Sequence, residues 1–193
     1  MTRPREFDTE IVTDRALDLF SRAGFAGVSL ADLETVTGVG RKGLYNTFGS
    51  KRGLFIEALK RYEERALQMI IVPLETEGAG RAEIVRVFGF VASPDGQLKG
   101  NRGCLFCLTA KSEVARFEDV GARVSDYFGK LRHGFLCALQ GARKEGDLAP
   151  QKDPEVLADF LIGTVMGLSA MARAHRPAAQ VKHYVETALA ALN

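Results

Sequence analysis

Arg41, Lys42, Tyr45, Asn46 and Thr47 lie within seven consecutive positions of this chain. Cationic, amide and hydroxyl side chains are the groups that grip phosphates and read base edges. Ser29 and Lys51 flank the run and add one hydroxyl and one cation. A second set lies far away. Cys104 and Cys107 are three residues apart, a spacing that puts both on one face of a helix. A cysteine in the first turn of a helix is favoured as thiolate by the macrodipole, and nearby Arg102 and Lys111 add to the effect. The chemistry would be nucleophilic attack on an electrophile, or closure of a disulfide.

Both sets need elements to position them. Ser29 can cap a short helix, with Asp32 in a position resembling a capping box. Leu30, Leu33 and Val36 are spaced to face inward. Gly38 then supplies a turn, where a left-handed backbone is cheapest for glycine. Val39 packs beneath a second helix anchored by Leu44 and Phe48, which leaves the polar run outside. Two short helices joined by a glycine turn, the second basic and polar, are what a helix-turn-helix needs to place a helix in the DNA major groove. Two amphipathic helices of an ordinary bundle would share the periodicity but not the outward polar register.

The run from Gly38 through Tyr45 and Phe48 to Lys51 resembles the N-terminal signature of TetR-type transcriptional repressors, as do Ala23-Gly24-Phe25, Val28-Ser29-Leu30 and Asp18-Leu19-Phe20. The specific resemblance covers about the first sixty residues. It implies an all-α homodimer: a three-helix DNA-binding unit over residues 1–50, then a helical bundle over residues 51–193 for ligand binding and dimerisation. Such a protein would leave a palindromic operator in response to a small-molecule inducer or to modification of a cysteine. DNA contact is expected from Ser29, Arg41, Lys42, Gly43, Tyr45, Asn46, Thr47 and Lys51. Two glycines depart from the pattern. Gly40 and Gly43 stand where the family usually has serine or threonine, so either the backbone approaches DNA closely at Gly43 or Lys42 and Asn46 carry more of the readout. Gly103-Cys104-Leu105 resembles a segment of family members that sense oxidants or electrophiles through a cysteine.

With 193 residues and a net charge of +2, the chain can bury a substantial core. Up to Lys60 there are nine basic and eight acidic residues, so DNA binding must come from placement rather than bulk charge. Glu10, Asp14 and Asp18 form an acidic stripe on the first helix, expected to be exposed. The odd number of cysteines, three, argues against a secreted disulfide framework. No signal peptide is visible at the N-terminus, and the apolar run Phe160 to Ala172 is shorter than the roughly 20 residues that span a bilayer. A cytoplasmic protein without membrane contact is expected. One C-x-x-C lacks the further ligands of a zinc site, and no phosphate loop, nucleophile elbow or paired-carboxylate motif appears. Neither a metal, a cofactor nor catalysis is expected. The rival readings are a cytosolic thiol redox protein using Cys104 and Cys107, or a helical interaction protein without DNA binding.

The remaining chain reads as helices throughout. The first should span Thr9 to Ala23 and bury Val12, Ala16, Leu19, Phe20 and Ala23. A helix capped by Ser50 should end before Pro73. Further helices should cover Ala82 to Val91, Cys104 to Phe117 and Asp119 to Lys144, the last interrupted by Gly129, Gly134 and Gly141. A loop from Ser93 to Gly103 should divide the first and second of these helices. A nearly all-apolar helix should follow Pro154, and a last one should open at Pro177. Gly163 and Gly167 would let that apolar helix meet a partner subunit closely. Phe88, Phe106, Phe128 and Phe160 are candidates to line an effector pocket, and Cys137 is expected in the core.

Overall fold

A computed structural model describes residues 7–93 and 103–193. Positions 94–102 of the expected loop, and Arg102, lie outside the described residues. All regular elements among them are helical: α1 (Thr9–Ala23), α2 (Leu30–Thr37), α3 (Arg41–Phe48), α4 (Lys51–Ala66), α5 (Val72–Glu75), α6 (Arg81–Ala92), α7 (Leu105–Ala110), α8 (Glu118–Glu145), α9 (Pro154–Arg173) and α10 (Ala178–Ala190).

The N-terminal bundle forms because α1 is buried on two sides, by α2 and by α4. Its inward stripe is Val12, Ala16, Leu17 and Phe20. Leu17, rather than Leu19 and Ala23, completes that stripe; Leu19 is half-buried and Ala23 exposed. Phe20 meets Phe55 of α4 edge-on at 4.9 Å, and Phe25 packs on Phe55 at 5.1 Å. The acidic stripe is not free. Asp14 accepts from Arg61 Nε at 3.0 Å and Arg65 Nη2 at 2.6 Å, clamping α1 to α4.

The helix after Ser50 does not stop before Pro73. It passes from α4 through a π turn, Leu67–Ile71, directly into α5. Val72 donates to the Leu67 carbonyl, five residues back. Pro73 then falls in the first turn of α5, immediately after the π turn. α7 is shorter than its apolar pattern suggests. Ser112 Oγ donates to the Thr109 carbonyl at 2.8 Å, competing with the helix for its last turn, and a 3₁₀ turn, Glu113–Arg116, follows.

α8 runs uninterrupted through its glycines for 28 residues. Gly134 and Gly141 serve close packing instead, while Gly129 faces open space. A β-carbon at Gly141 would lie 2.0 Å from the Ala79 carbonyl oxygen, and one at Gly134 would lie 3.3 Å from Leu74 Cβ. Both positions receive the segment around α5. α9 starts at Pro154 behind the cap Asp153 and packs chiefly on α8. By length and composition its 20 residues, mean hydropathy 1.5, are apolar enough to cross a membrane. Here Leu157, Leu161, Val165 and Leu168 are buried in the bundle, while Val156 and Phe160 are exposed at 64% and 44%. The space at Gly167 is taken by Tyr184 of the same chain, whose hydroxyl would sit 2.4 Å from a β-carbon there; only Gly163 faces open space.

Candidate nucleic-acid interface and effector cavity

Ser29 and Asp32 close a reciprocal capping box on α2. The Asp32 amide donates to Ser29 Oγ at 3.1 Å and the Ser29 amide donates to Asp32 Oδ2 at 2.7 Å. The Ser29 hydroxyl, donating to Asp32 Oδ2 at 2.6 Å, and then the Ser29 amide hold the Asp32 carboxyl below its usual pKa. Gly38 turns the chain at φ +73°, and Arg15 of α1 pins the turn by donating to the Thr37 carbonyl at 3.1 Å. α3 then presents Arg41, Lys42, Tyr45 and Asn46 to solvent, with Thr47 half-buried, while Leu44 is sunk in the core. That is the predicted register.

The structure resolves the two glycine departures. Gly40 caps α3 without a side chain, and Glu34 of α2 supplies the acceptor: its Oε1 takes the Arg41 amide at 2.5 Å. A carboxylate there also suits the positive end of the helix. Glu34 Oε2 lies 3.8 Å from the Arg41 guanidinium, so Arg41 serves the turn as well as the exposed face. The sequence signal for Glu34, an acidic residue one turn before the glycine, is visible only once the turn geometry is known. Gly43 does not face outward. A β-carbon there would lie 2.8 Å from Val39 Cγ1 and 3.3 Å from Phe7 Cε1. This glycine thus makes room inside the bundle, while Lys42, Tyr45 and Asn46 remain exposed and Thr47 half-buried. Lys51 has its ammonium 4.3 Å from the Phe25 ring centre, and burial lowers its pKa.

The cysteines lie in the second half of the chain. Cys104 caps α7 and Cys107 is buried in its first turn. The Cys104 amide donates to Ser169 Oγ of α9 at 2.9 Å. Gly103 permits this contact, since a β-carbon there would lie 2.6 Å from that oxygen. The Cys104 thiol is lowered to about 6, chiefly by a hydrogen bond from Cys107, with Tyr62 contributing another. The same bond, with burial, raises Cys107. Burial and the neighbouring Cys104 raise both Tyr62 and Tyr127. Cys104 opens on a cavity of about 40 Å³ whose lining includes Tyr62, Ile70, Tyr127, Leu131, Val165 and Ser169.

None of the four phenylalanines singled out from sequence lines this cavity. Phe106 is buried behind it, stacked on Tyr127 at 4.0 Å. Phe88 stacks on Phe135 at 5.7 Å within the core, Phe128 packs edge-on against Tyr127, and Phe160 is on the exposed side of α9. Cys137 is half-buried rather than core, with its sulfur 3.6 Å from His133 Nε2. A wider groove of about 530 Å³ between α1 and α4 is walled partly by Glu10, Arg61 and Glu64, charges already engaged with one another.

The family model for bacterial regulatory proteins of the tetR family matches residues 12–58, and that for the tetracyclin repressor-like C-terminal domain matches residues 89–188. The chain belongs to the TetR family, and it is a DNA-binding transcriptional regulator. It is 27% identical to the HTH-type transcriptional regulator YezE of Bacillus subtilis (strain 168), over the whole of both chains. It is 29% identical to the transcriptional repressor ComR of Escherichia coli (strain K12), over 89% of this chain and 82% of that one. Among solved structures, a cysteine mutant of the TetR-family regulator CifR, complexed with 26-base-pair double-strand operator DNA, superposes with a TM-score of 0.82 at 31% identity, all of both chains being covered.

Proposed function

We propose that this regulator is a repressor that binds a palindromic operator as a homodimer and is released when a small molecule occupies or modifies the cavity at Cys104. A DNA-reading unit of residues 1–50 and an effector and dimerisation unit of residues 51–193 follow from this reading, with α4 packed into both. The observation that carries it is the convergence of Cys104, Tyr62 and Tyr127 on one small cavity, with Cys107 hydrogen-bonded to Cys104 behind it. Preformed sites for drug-sized ligands occupy roughly 300–1,000 Å³. A cavity of about 40 Å³ suits a few-atom adduct on sulfur better than a large inducer. The operator complex of CifR, itself a cysteine mutant, supports both parts of the reading.

The chemistry is an addition. The Cys104 thiolate sulfur forms a bond to the electrophilic carbon of an activated alkene; the π electrons move to the carbonyl, and water protonates the resulting enolate. With a peroxide as oxidant, the thiolate would be oxidised to a sulfenic acid while the O–O bond breaks. The Cys107 thiol would then displace water to close a disulfide.

The adduct has a route to the DNA-binding unit. Along α7, Leu108 Cδ2 lies 3.5 Å from where a β-carbon would stand at Gly24. Along α9, Arg173 donates to the Ser21 and Arg22 carbonyls at 3.3 and 3.2 Å. Both contacts meet the C-terminal end of α1. The test is to select duplexes from a random pool with the wild-type protein, then measure binding before and after reaction with N-ethylmaleimide. Release of wild-type protein, and retention of DNA by the treated Cys104→Ser variant, are expected. Unaltered affinity after full modification of Cys104 would overturn the cysteine reading.

A further inference from the structure

Phe7 lies outside the helix-turn-helix, immediately before Asp8, the N-cap of α1. It is half-buried and packs against the N-terminal core. Its ring reaches the inner side of α3 at Gly43, the residue without a side chain. There Phe7 Cε1 would be 3.3 Å from a β-carbon, while Val39 Cγ1 fills the other side at 2.8 Å. The family pattern puts a serine or threonine at this position. In this chain such a side chain would press into Val39 and sit tight against Phe7, so both neighbours would have to shift. The missing atoms at 43 and the ring of Phe7 are therefore one packing unit.

We propose that Phe7 is a positioning residue for DNA recognition: it sets the depth and rotation of α3 by packing against Gly43. The physical reason is the shortness of α3. Its eight residues have Leu44 as their one fully buried side chain, with Phe48 half-buried behind it. A helix held along one line can roll about that line. Contacts on a second line, at 43, resist the roll and keep Lys42 and Asn46 aimed at one pair of base steps. Phosphate contacts tolerate such a roll far better than base contacts, which require hydrogen bonds at fixed geometry. Phe7 therefore governs specificity more than overall affinity.

The experiment uses the full chain and two duplexes: the sequence that wild-type protein enriches from a random pool, and a shuffled duplex of the same length. Binding is measured by fluorescence anisotropy for wild type, Phe7→Leu, Phe7→Ala, Gly43→Ala and Phe7→Ala/Gly43→Ala, with the melting temperature recorded for each. Phe7→Ala is expected to weaken binding of the selected duplex about tenfold, the scale of one misaligned base contact, and to leave the shuffled duplex within about twofold. Phe7→Leu should recover most of the loss. Gly43→Ala should also weaken specific binding, and the double variant should lose less than the product of the two single effects, because both act on one contact. Equal losses on both duplexes, or independent effects in the double variant, would overturn the proposal. So would a Phe7→Ala variant that melts lower yet keeps its specificity, because the contact would then serve stability alone.

Discussion

The Cys104 amide donates to Ser169 Oγ at 2.9 Å, a contact between the start of α7 and α9, the two helices that run from the cavity to the DNA-binding unit. Four residues beyond Cys104, Leu108 reaches Gly24; four residues beyond Ser169, Arg173 holds the Ser21 and Arg22 carbonyls. An adduct on Cys104 that separates α7 from α9 would disturb both seats of α1 together. Leu108→Ala and Arg173→Ala should leave the rate of Cys104 alkylation unchanged but shrink the resulting loss of operator affinity. Comparing affinities of alkylated and unmodified protein for each variant checks this. A full wild-type response in both variants would exclude the route.

The alkylation rate of Cys104 should rise with pH around about 6, where its thiol ionises, rather than around the usual value of about 8.5. The sign follows from the chemistry: the thiolate is the nucleophile, so a lowered pKa keeps the reaction fast at pH 7 and slows it only in acid. Cys107, raised by its bond to Cys104 and by burial, should react slowly across the same range. Peptide mapping of iodoacetamide labelling at several pH values reads both. A Cys104 profile inflecting above pH 8 would contradict the geometry.

Glu63 of α4 is 6% exposed and accepts from Arg123 Nη1 at 2.9 Å and Lys130 Nζ at 2.6 Å, both on α8. Removing one member of a buried ion group leaves the others uncompensated, at a cost of about 3–5 kcal/mol. Glu63→Gln should therefore lower stability strongly, toward the low end of that range because Lys130 is half exposed. Urea denaturation of the variant against wild type measures it, and a loss below about 1 kcal/mol would show the triad to be solvated in effect.

Lys42 and Asn46 stand exposed on α3. Asn46→Ala should cost about 1–3 kcal/mol of specific binding, if its amide reads a base edge. Lys42→Ala should weaken binding and reduce the salt dependence by about one counterion if it meets phosphate. Anisotropy titrations at several salt concentrations separate the two roles. Wild-type affinity and salt slope in both variants would refute this register.

Val156 and Phe160 form an apolar patch on the outer side of α9, next to the open Gly163. Replacing either by Asp should shift sedimentation toward monomer at micromolar concentration without unfolding the chain, because neither is buried in its own subunit. Leu168 is unsuited to this test, being 2% exposed in its own core. An unchanged dimer fraction in both variants would place the interface elsewhere.

The sequence by itself determined the helical architecture, the capping of α2 by Ser29, the turn at Gly38 and the outward polar face of α3. Each depends on neighbours within about one helical turn, and caps, periodicity and turn residues are local properties. It also paired Cys104 with Cys107 at the start of a helix. Tertiary structure decided what those local patterns leave open. Glu34 replaces the cap that Gly40 lacks, and Phe7 explains Gly43; both are contacts between separate elements. Pro73 sits inside a helical run because a π turn precedes it, and Gly134 and Gly141 of α8 mark close approaches rather than breaks. The cavity is lined by tyrosines and aliphatic side chains from several helices instead of the phenylalanines, because apolar periodicity says that a residue points inward but not which neighbour it meets there.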